Sequence, residues 1–196
     1  MTPGATKQFD PDHVLEQAME LFWEQGYEAT GLAQLTEHLG IGRQSLYNEF
    51  GDKRGLFLAA LRAYVAHCHS EKLAILNGPG SPLENLHALG QFWLESFDST
   101  SCQGCLLSNT IAEFGDSDED VNEIVVAAIR SMEDAFCGLF QRAIDAGELR
   151  EDTNPRNLAR MFIATTQGVS LLSRFQDGAT RVKSTLEALT SMLPLA

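Results

Sequence analysis

The sequence predicts an all-α fold of about nine helices, and three observations carry that prediction. Apolar residues recur at the three/four spacing of amphipathic helices. Helix-start and helix-stop residues fall between the periodic segments, and no run of alternating polar and apolar residues marks a set of strands. At 196 residues and 44% hydrophobic, the chain suits one ordinary domain or two small ones with a packed core, which argues against wholesale disorder.

In chain order, Val14, Leu15, Ala18, Leu21 and Phe22 form the apolar stripe of a helix over Pro11 to Gln25. Asp10 is its N-cap, Pro11 suits its first position and Gly26 stops it. Two short helices follow, Leu32 to Leu39 and Arg43 to Glu49, joined by Gly40-Ile41-Gly42. Asp52 is placed to cap a long helix from Lys53 to about Leu76. The clearest break is Asn77-Gly-Pro-Gly-Ser-Pro82. Beyond it, helices are expected at Leu83 to Asp98, Cys102 to Phe114, Asp118 to Ala146, Pro155 to Gln176 and Ala179 to Leu193. Neither an internal repeat nor a low-complexity tract interrupts them.

Several classes are set aside. The longest aliphatic run, Ile124 to Ile129, falls far short of the roughly 20 residues that cross a bilayer, so no membrane partner is expected. Met1 to Phe9 lacks the apolar stretch of a secretory signal, which predicts a cytoplasmic protein whose four cysteines are mostly thiols. Glycine-rich phosphate loops, the Gly-x-Ser-x-Gly elbow and His-Glu-x-x-His are missing, so a binding protein without a cofactor is expected over an enzyme. The acidic run Asp116 to Asp120 has Val121 and Ala127 where a calcium loop needs Gly and Glu, and suits the start of the following helix.

The two short helices form a helix-turn-helix pattern. Leu35, Leu39, Ile41 and Leu46 are placed to pack them together, leaving Arg43, Gln44, Ser45, Tyr47 and Asn48 as a polar face on the second. Such side chains read base edges and phosphates in a major groove. The same pattern also suits a plain corner of a helical fold, and the residues alone leave the two readings near equal weight.

The segment from Phe22 through Gly26-Tyr27 and Thr30, then Leu39-Gly-Ile-Gly-Arg-Gln-Ser-Leu-Tyr-Asn-Glu-Phe-Gly-Asp-Lys-Arg-Gly-Leu-Phe57, closely resembles the N-terminal domain of TetR/AcrR-family transcriptional repressors. The likeness covers about the first 60 residues. It implies a DNA-binding domain over 1–55 and an effector-binding and dimerisation domain over 56–196. It also implies a homodimer whose recognition helices enter successive major grooves of double-stranded operator DNA, and a small-molecule effector that releases it. Carried over by position, Thr30, Arg43, Gln44, Ser45, Tyr47 and Lys53 are the expected DNA contacts, with Asn48 beside them on the polar face. Two positions depart from the pattern: Gly31 and Gly42 stand where a hydroxyl residue is usual, and each loses a phosphate contact while keeping an acceptable N-cap.

A net charge of −13 opposes nucleic-acid binding. Residues 1–55 hold four basic residues against nine acidic ones, a net of −5, so the acidity extends into the DNA-binding segment itself. Most of those acids fall on the first helix or at helix starts, whereas Arg43, Lys53 and Arg54 gather around the recognition helix. Few phosphate contacts and weak non-specific binding are expected.

In the C-terminal region the large apolar residues read first as core. Trp93, Phe97, Asn109, Met132, Phe136 and Gln167 are the effector-pocket candidates, and the last two helices suit a dimer interface, as in proteins of the resembled family. Cys102-Gln-Gly-Cys105 is a single CxxC, a weak signal because structural zinc normally takes two such pairs or a pair with an HxxxH partner. Packing is its first reading, thiol-based redox or electrophile sensing its second, and copper or zinc sensing its third. Cys68 and Cys137 read as small buried hydrophobes, and His67 and His69 as residues on different helix faces. The competing reading for the whole chain is an all-α interaction module without specific DNA binding.

Overall fold

The computed structural model describes residues 9–97, 103–175 and 177–196, apart from the side chains at 96, 97 and 179. Among them are nine helices: α1 (Pro11–Gln25), α2 (Leu32–His38), α3 (Arg43–Phe50), α4 (Lys53–Leu76), α5 (Pro82–Phe97), α6 (Leu106–Phe114), α7 (Glu119–Asp145), α8 (Pro155–Leu172) and α9 (Gly178–Ser191). Among the described residues the only extended pairing is an isolated antiparallel bridge between Leu149 and Leu195. The chain divides into two compact units between Tyr64 and Val65, inside α4 and further along it than residue 55.

The helix ends follow from local chemistry. Asp10 accepts the Asp12 N–H at 3.0 Å ahead of Pro11, and Gly26, at φ 85°, ends α1. Asp52 Oδ1 accepts the Gly55 N–H at 2.7 Å and caps α4. Before α5, Ser81 and Glu84 form a reciprocal capping box: the Ser81 N–H donates to Glu84 Oε2 at 2.8 Å and the Glu84 N–H donates to Ser81 Oγ at 3.2 Å. Asp118 and Asn154 cap α7 and α8 through the N–H groups of Val121 and Asn157.

Two ends differ from the sequence expectation by four residues, the others by at most two. The sixth helix begins at Leu106 and not Cys102, which itself lies outside the described residues. Gly104 takes φ +73°, a left-handed conformation that a helix interior does not admit, and Cys105 is extended. A Cβ on Gly104 would lie 2.6 Å from the Ser170 carbonyl oxygen, so this turn packs directly on α8. The eighth helix stops at Leu172 and not Gln176. Beyond it the Arg174 and Phe175 N–H groups bond three residues back, to Leu171 and Leu172, and tighten the chain into a turn.

In the first unit, Phe22 of α1 meets Phe57 of α4 edge to face at 5.1 Å, and Leu35, Leu46, Leu56 and Leu61 are fully buried. The second unit is built on α7. Its Phe136 and Phe140 are completely buried, stack on each other and meet the tilted ring of Phe162 of α8, while Leu86 and Leu89 of α5 and Leu189 of α9 close the core. The C-terminal tail returns to the α7–α8 turn, where the Arg150 N–H donates to the Pro194 carbonyl at 2.9 Å.

Candidate nucleic-acid interface

Burial of one side of α2 and α3 decides what the other side presents. Leu35, Leu39, Ile41 and Leu46 are all buried and lock the two helices at the Gly40 turn, where φ is +62°. The Ile41 N–H donates to the Thr36 carbonyl at 3.2 Å and the Leu46 N–H to the Gly42 carbonyl at 3.1 Å, which fixes the turn and the first residues of α3. Arg43, Gln44, Tyr47 and Asn48 then stand exposed on α3, Tyr47 at 44%, with Ser45 half-buried beside them. Gln44 Nε2 donates to Asn48 Oδ1 at 2.9 Å, so these two amides pair along one helical turn. No side chain caps the first turn of α3 at Gly42.

Thr30 and Lys53 sit differently. The Thr30 side chain is fully buried and its hydroxyl donates to the Gly26 carbonyl at 2.6 Å. Lys53 Nζ donates to the backbone carbonyls of Tyr27 and Thr30 at 2.8 and 2.9 Å and lies 4.1 Å from the centroid of the Tyr27 ring. The five α3 residues form one surface, while these two face into the α1–α2 turn. Tyr27 drew attention only as part of the motif, because the lysine it pairs with stands 26 residues away.

In the second unit the effector-pocket candidates scatter. Met132 and Phe136 are core residues of α7. Trp93 lines a cavity of about 70 Å³ between α5 and α9, floored by Leu86, Phe162 and Leu189 and bordered by His87 and Lys183. Gln167 of α8 accepts the hydroxyl of buried Ser108 across the α6–α8 seam, whereas Asn109 of α6 donates through Nδ2 to the Gln103 carbonyl of the preceding loop at 3.1 Å. Asn109 Oδ1 is buried there without a hydrogen-bond partner. The side chain of Phe97 lies outside the described residues. Cys105 is the N-cap of α6 and half-buried, as are Cys68 and Cys137 on their helices. His67 is exposed on α4 near Glu71, and His69 is half-buried. Among the described residues, no three His, Cys, Asp or Glu side chains gather where a metal ion could be held, and no helix is long and apolar enough to cross a membrane.

This arrangement of a buried helical pair with a polar second helix recurs in known proteins. Residues 14–60 match the family described as bacterial regulatory proteins, tetR family, and residues 82–189 match the tetracyclin repressor-like C-terminal domain. An uncharacterized HTH-type transcriptional regulator of Bacillus subtilis, YezE, is 33% identical over 97% of this chain and 99% of its own. The HTH-type transcriptional repressor ComR of Escherichia coli is 30% identical over 92% of this chain and 86% of its own. Among solved structures, a cysteine mutant of the TetR family regulator CifR, complexed with 26-base-pair double-strand operator DNA, is 30% identical. It superposes with a TM-score of 0.84, covering 97% of this chain and 100% of its own. On this fold, this helix-turn-helix and these matches, the chain belongs to the tetR family and is a helix-turn-helix transcriptional regulator.

Proposed function

We propose that the protein is a repressor that binds double-stranded operator DNA as a homodimer through α3 and lets go when a small molecule binds its second unit, acting by binding and not by catalysis. The observation that carries the reading is the exposed row Arg43, Gln44, Tyr47 and Asn48 on a short helix whose Leu46 is buried. Arginine suits the O6 and N7 acceptors of guanine, the paired amides suit adenine, and the Ser45 and Tyr47 hydroxyls suit phosphate oxygens. Two such helices span successive grooves when they stand about 34–36 Å apart, which requires two subunits. For the dimer face we favour α8, α9 and the turns that follow them, where Leu172, Phe175 and Met192 leave large apolar surface exposed, Phe175 and Met192 at 69% each. A gel shift with the DNA upstream of its own gene tests the reading: specific retardation abolished by Arg43→Ala or Tyr47→Ala supports it, and a monomeric mass in solution overturns the two-groove arrangement.

For the effector, the preferred site is at α6, because the buried and unpartnered Oδ1 of Asn109, next in sequence to the Ser108 that bonds Gln167 of α8, offers an acceptor to a ligand that donates a hydrogen bond. Small molecules with amide, hydroxyl or amine groups that raise the melting temperature of the wild type and not of Asn109→Leu identify it. A thiol response is the second reading, carried by Cys105 at the N-terminus of α6, and unchanged operator binding after oxidant treatment removes it.

A further inference from the structure

We infer that Lys53 is a positioning residue that closes the helix-turn-helix at its base, and that it is not a phosphate ligand. A lysine ammonium carries three N–H donors and no acceptor. Two are spent on the Tyr27 and Thr30 carbonyls at 2.8 and 2.9 Å, and the charge rests 4.1 Å from the Tyr27 ring centroid, where the π face attracts it. One N–H remains, but the two carbonyls and the ring together fix the ammonium at the α1–α2 turn.

What it holds is the more telling part. Thr30 stands immediately before α2, and Lys53 is the first residue after the α3–α4 turn, so the clamp joins the entry and the exit of the whole segment 31–52. Each side of the clamp is itself fixed. On the entry side the Thr30 hydroxyl donates to the Gly26 carbonyl at 2.6 Å, and the Tyr27 ring packs 5.0 Å from Phe57 and 6.2 Å from Phe22. On the exit side Asp52 caps α4, and Gly55 approaches α3 so closely that a Cβ there would lie 2.0 Å from the Phe50 carbonyl oxygen. With both ends held, α3 has one attitude toward the rest of the unit. Base readout depends on that attitude, whereas contacts to a regular phosphate backbone survive small rotations. Lys53 therefore acts on sequence recognition through the placement of Arg43, Gln44, Tyr47 and Asn48.

The inference rests on the operator reading above, and one experiment separates the two. The wild-type full-length chain selects a duplex from a random-sequence pool. Affinities for that duplex and for a scrambled one are then measured against salt for wild type, Lys53→Met and Lys53→Arg, below the melting transition of each. The clamp predicts that Lys53→Met loses about tenfold on the selected duplex while its affinity for the scrambled duplex and its salt slope stay at wild-type values. Lys53→Arg behaves alike, because a planar guanidinium on a longer stem does not reproduce the ammonium's two carbonyl bonds. A phosphate ligand gives the opposite pattern: both duplexes weaken together in Lys53→Met, the slope falls by about 0.9 per lysine, and Lys53→Arg binds like wild type. A parallel loss without a slope change reports a merely structural residue and also overturns the clamp, as does unchanged binding. A wild type that selects no duplex overturns the operator reading itself.

Discussion

Gly42 begins the recognition helix with no side chain to cap it, in an extended conformation at φ −72° and ψ 153° that any residue adopts, and nothing lies within 4 Å of a Cβ added there. A serine at this position gains a capping acceptor for the first-turn N–H groups and removes glycine's excess freedom from the unfolded chain. Gly42→Ser is therefore expected to stabilise the protein by about 0.5–1 kcal/mol in urea denaturation. It also restores a hydroxyl beside the phosphate path, so operator affinity rises, and a destabilised Gly42→Ser shows that the glycine is needed for a reason its geometry does not reveal. Residue scale is also where the sequence was least legible. The polar face of α3 followed from Leu35, Leu39, Ile41 and Leu46 at helical spacing. The capture of Lys53 did not, because it depends on carbonyl groups 26 and 23 residues away that only the fold brings near, and the burial of Thr30 did not, because its hydroxyl bond to Gly26 is local but its enclosure is tertiary.

At the scale of elements, the stop and start residues of α1, α4 and α7 carry their boundaries in their own chemistry, through Asp10, Gly26, Asp52 and Asp118. The start of α6 was not readable, since Gly104 is left-handed in order to approach Ser170 of α8, a tertiary demand with no local mark. The second unit depends on α7, and Phe136 is its centre: fully buried, with ring centroids of Phe140, Phe162 and Trp93 within 5.9 to 6.4 Å. Phe136→Ala removes a ring that nothing can replace and is expected to cost about 3–5 kcal/mol in urea with an unchanged m-value. A loss under 1 kcal/mol means that the neighbouring rings collapse into the space. On α4, burial and then the charge of Lys72 hold His69 below the usual imidazole value of 6.5. The unfolded chain therefore takes up this proton first as pH falls. Stability is unaffected well above 6.5 and declines as pH drops through 6.5 toward the lowered folded value. His69→Gln makes that decline smaller, which melting temperatures at pH 7.5 and 5.5 compare directly.

For the whole molecule, the question is how a chain of net charge −13 holds a polyanion at all. Glu16, Glu20 and Glu24 form an exposed acidic stripe along α1, so the DNA-binding unit carries its repulsion on its own surface. Within residues 1–55 the cations are Lys7, Arg43, Lys53 and Arg54, and Lys53 is held by carbonyls. A dimer using the other three from each subunit neutralises at most about six phosphates, and at about 0.9 per phosphate the slope of log K against log salt comes to about −5. Affinity must then come from base contacts and neutral hydroxyl contacts, which salt screens little, so the ratio of operator to scrambled-duplex binding is expected to be high and to hold as salt rises. Titration of both duplexes between low and physiological salt checks this in one series. A slope steeper than about −8 requires more cations at the interface than these helices supply, and would show that the acidic unit docks by a face other than the one built on α3.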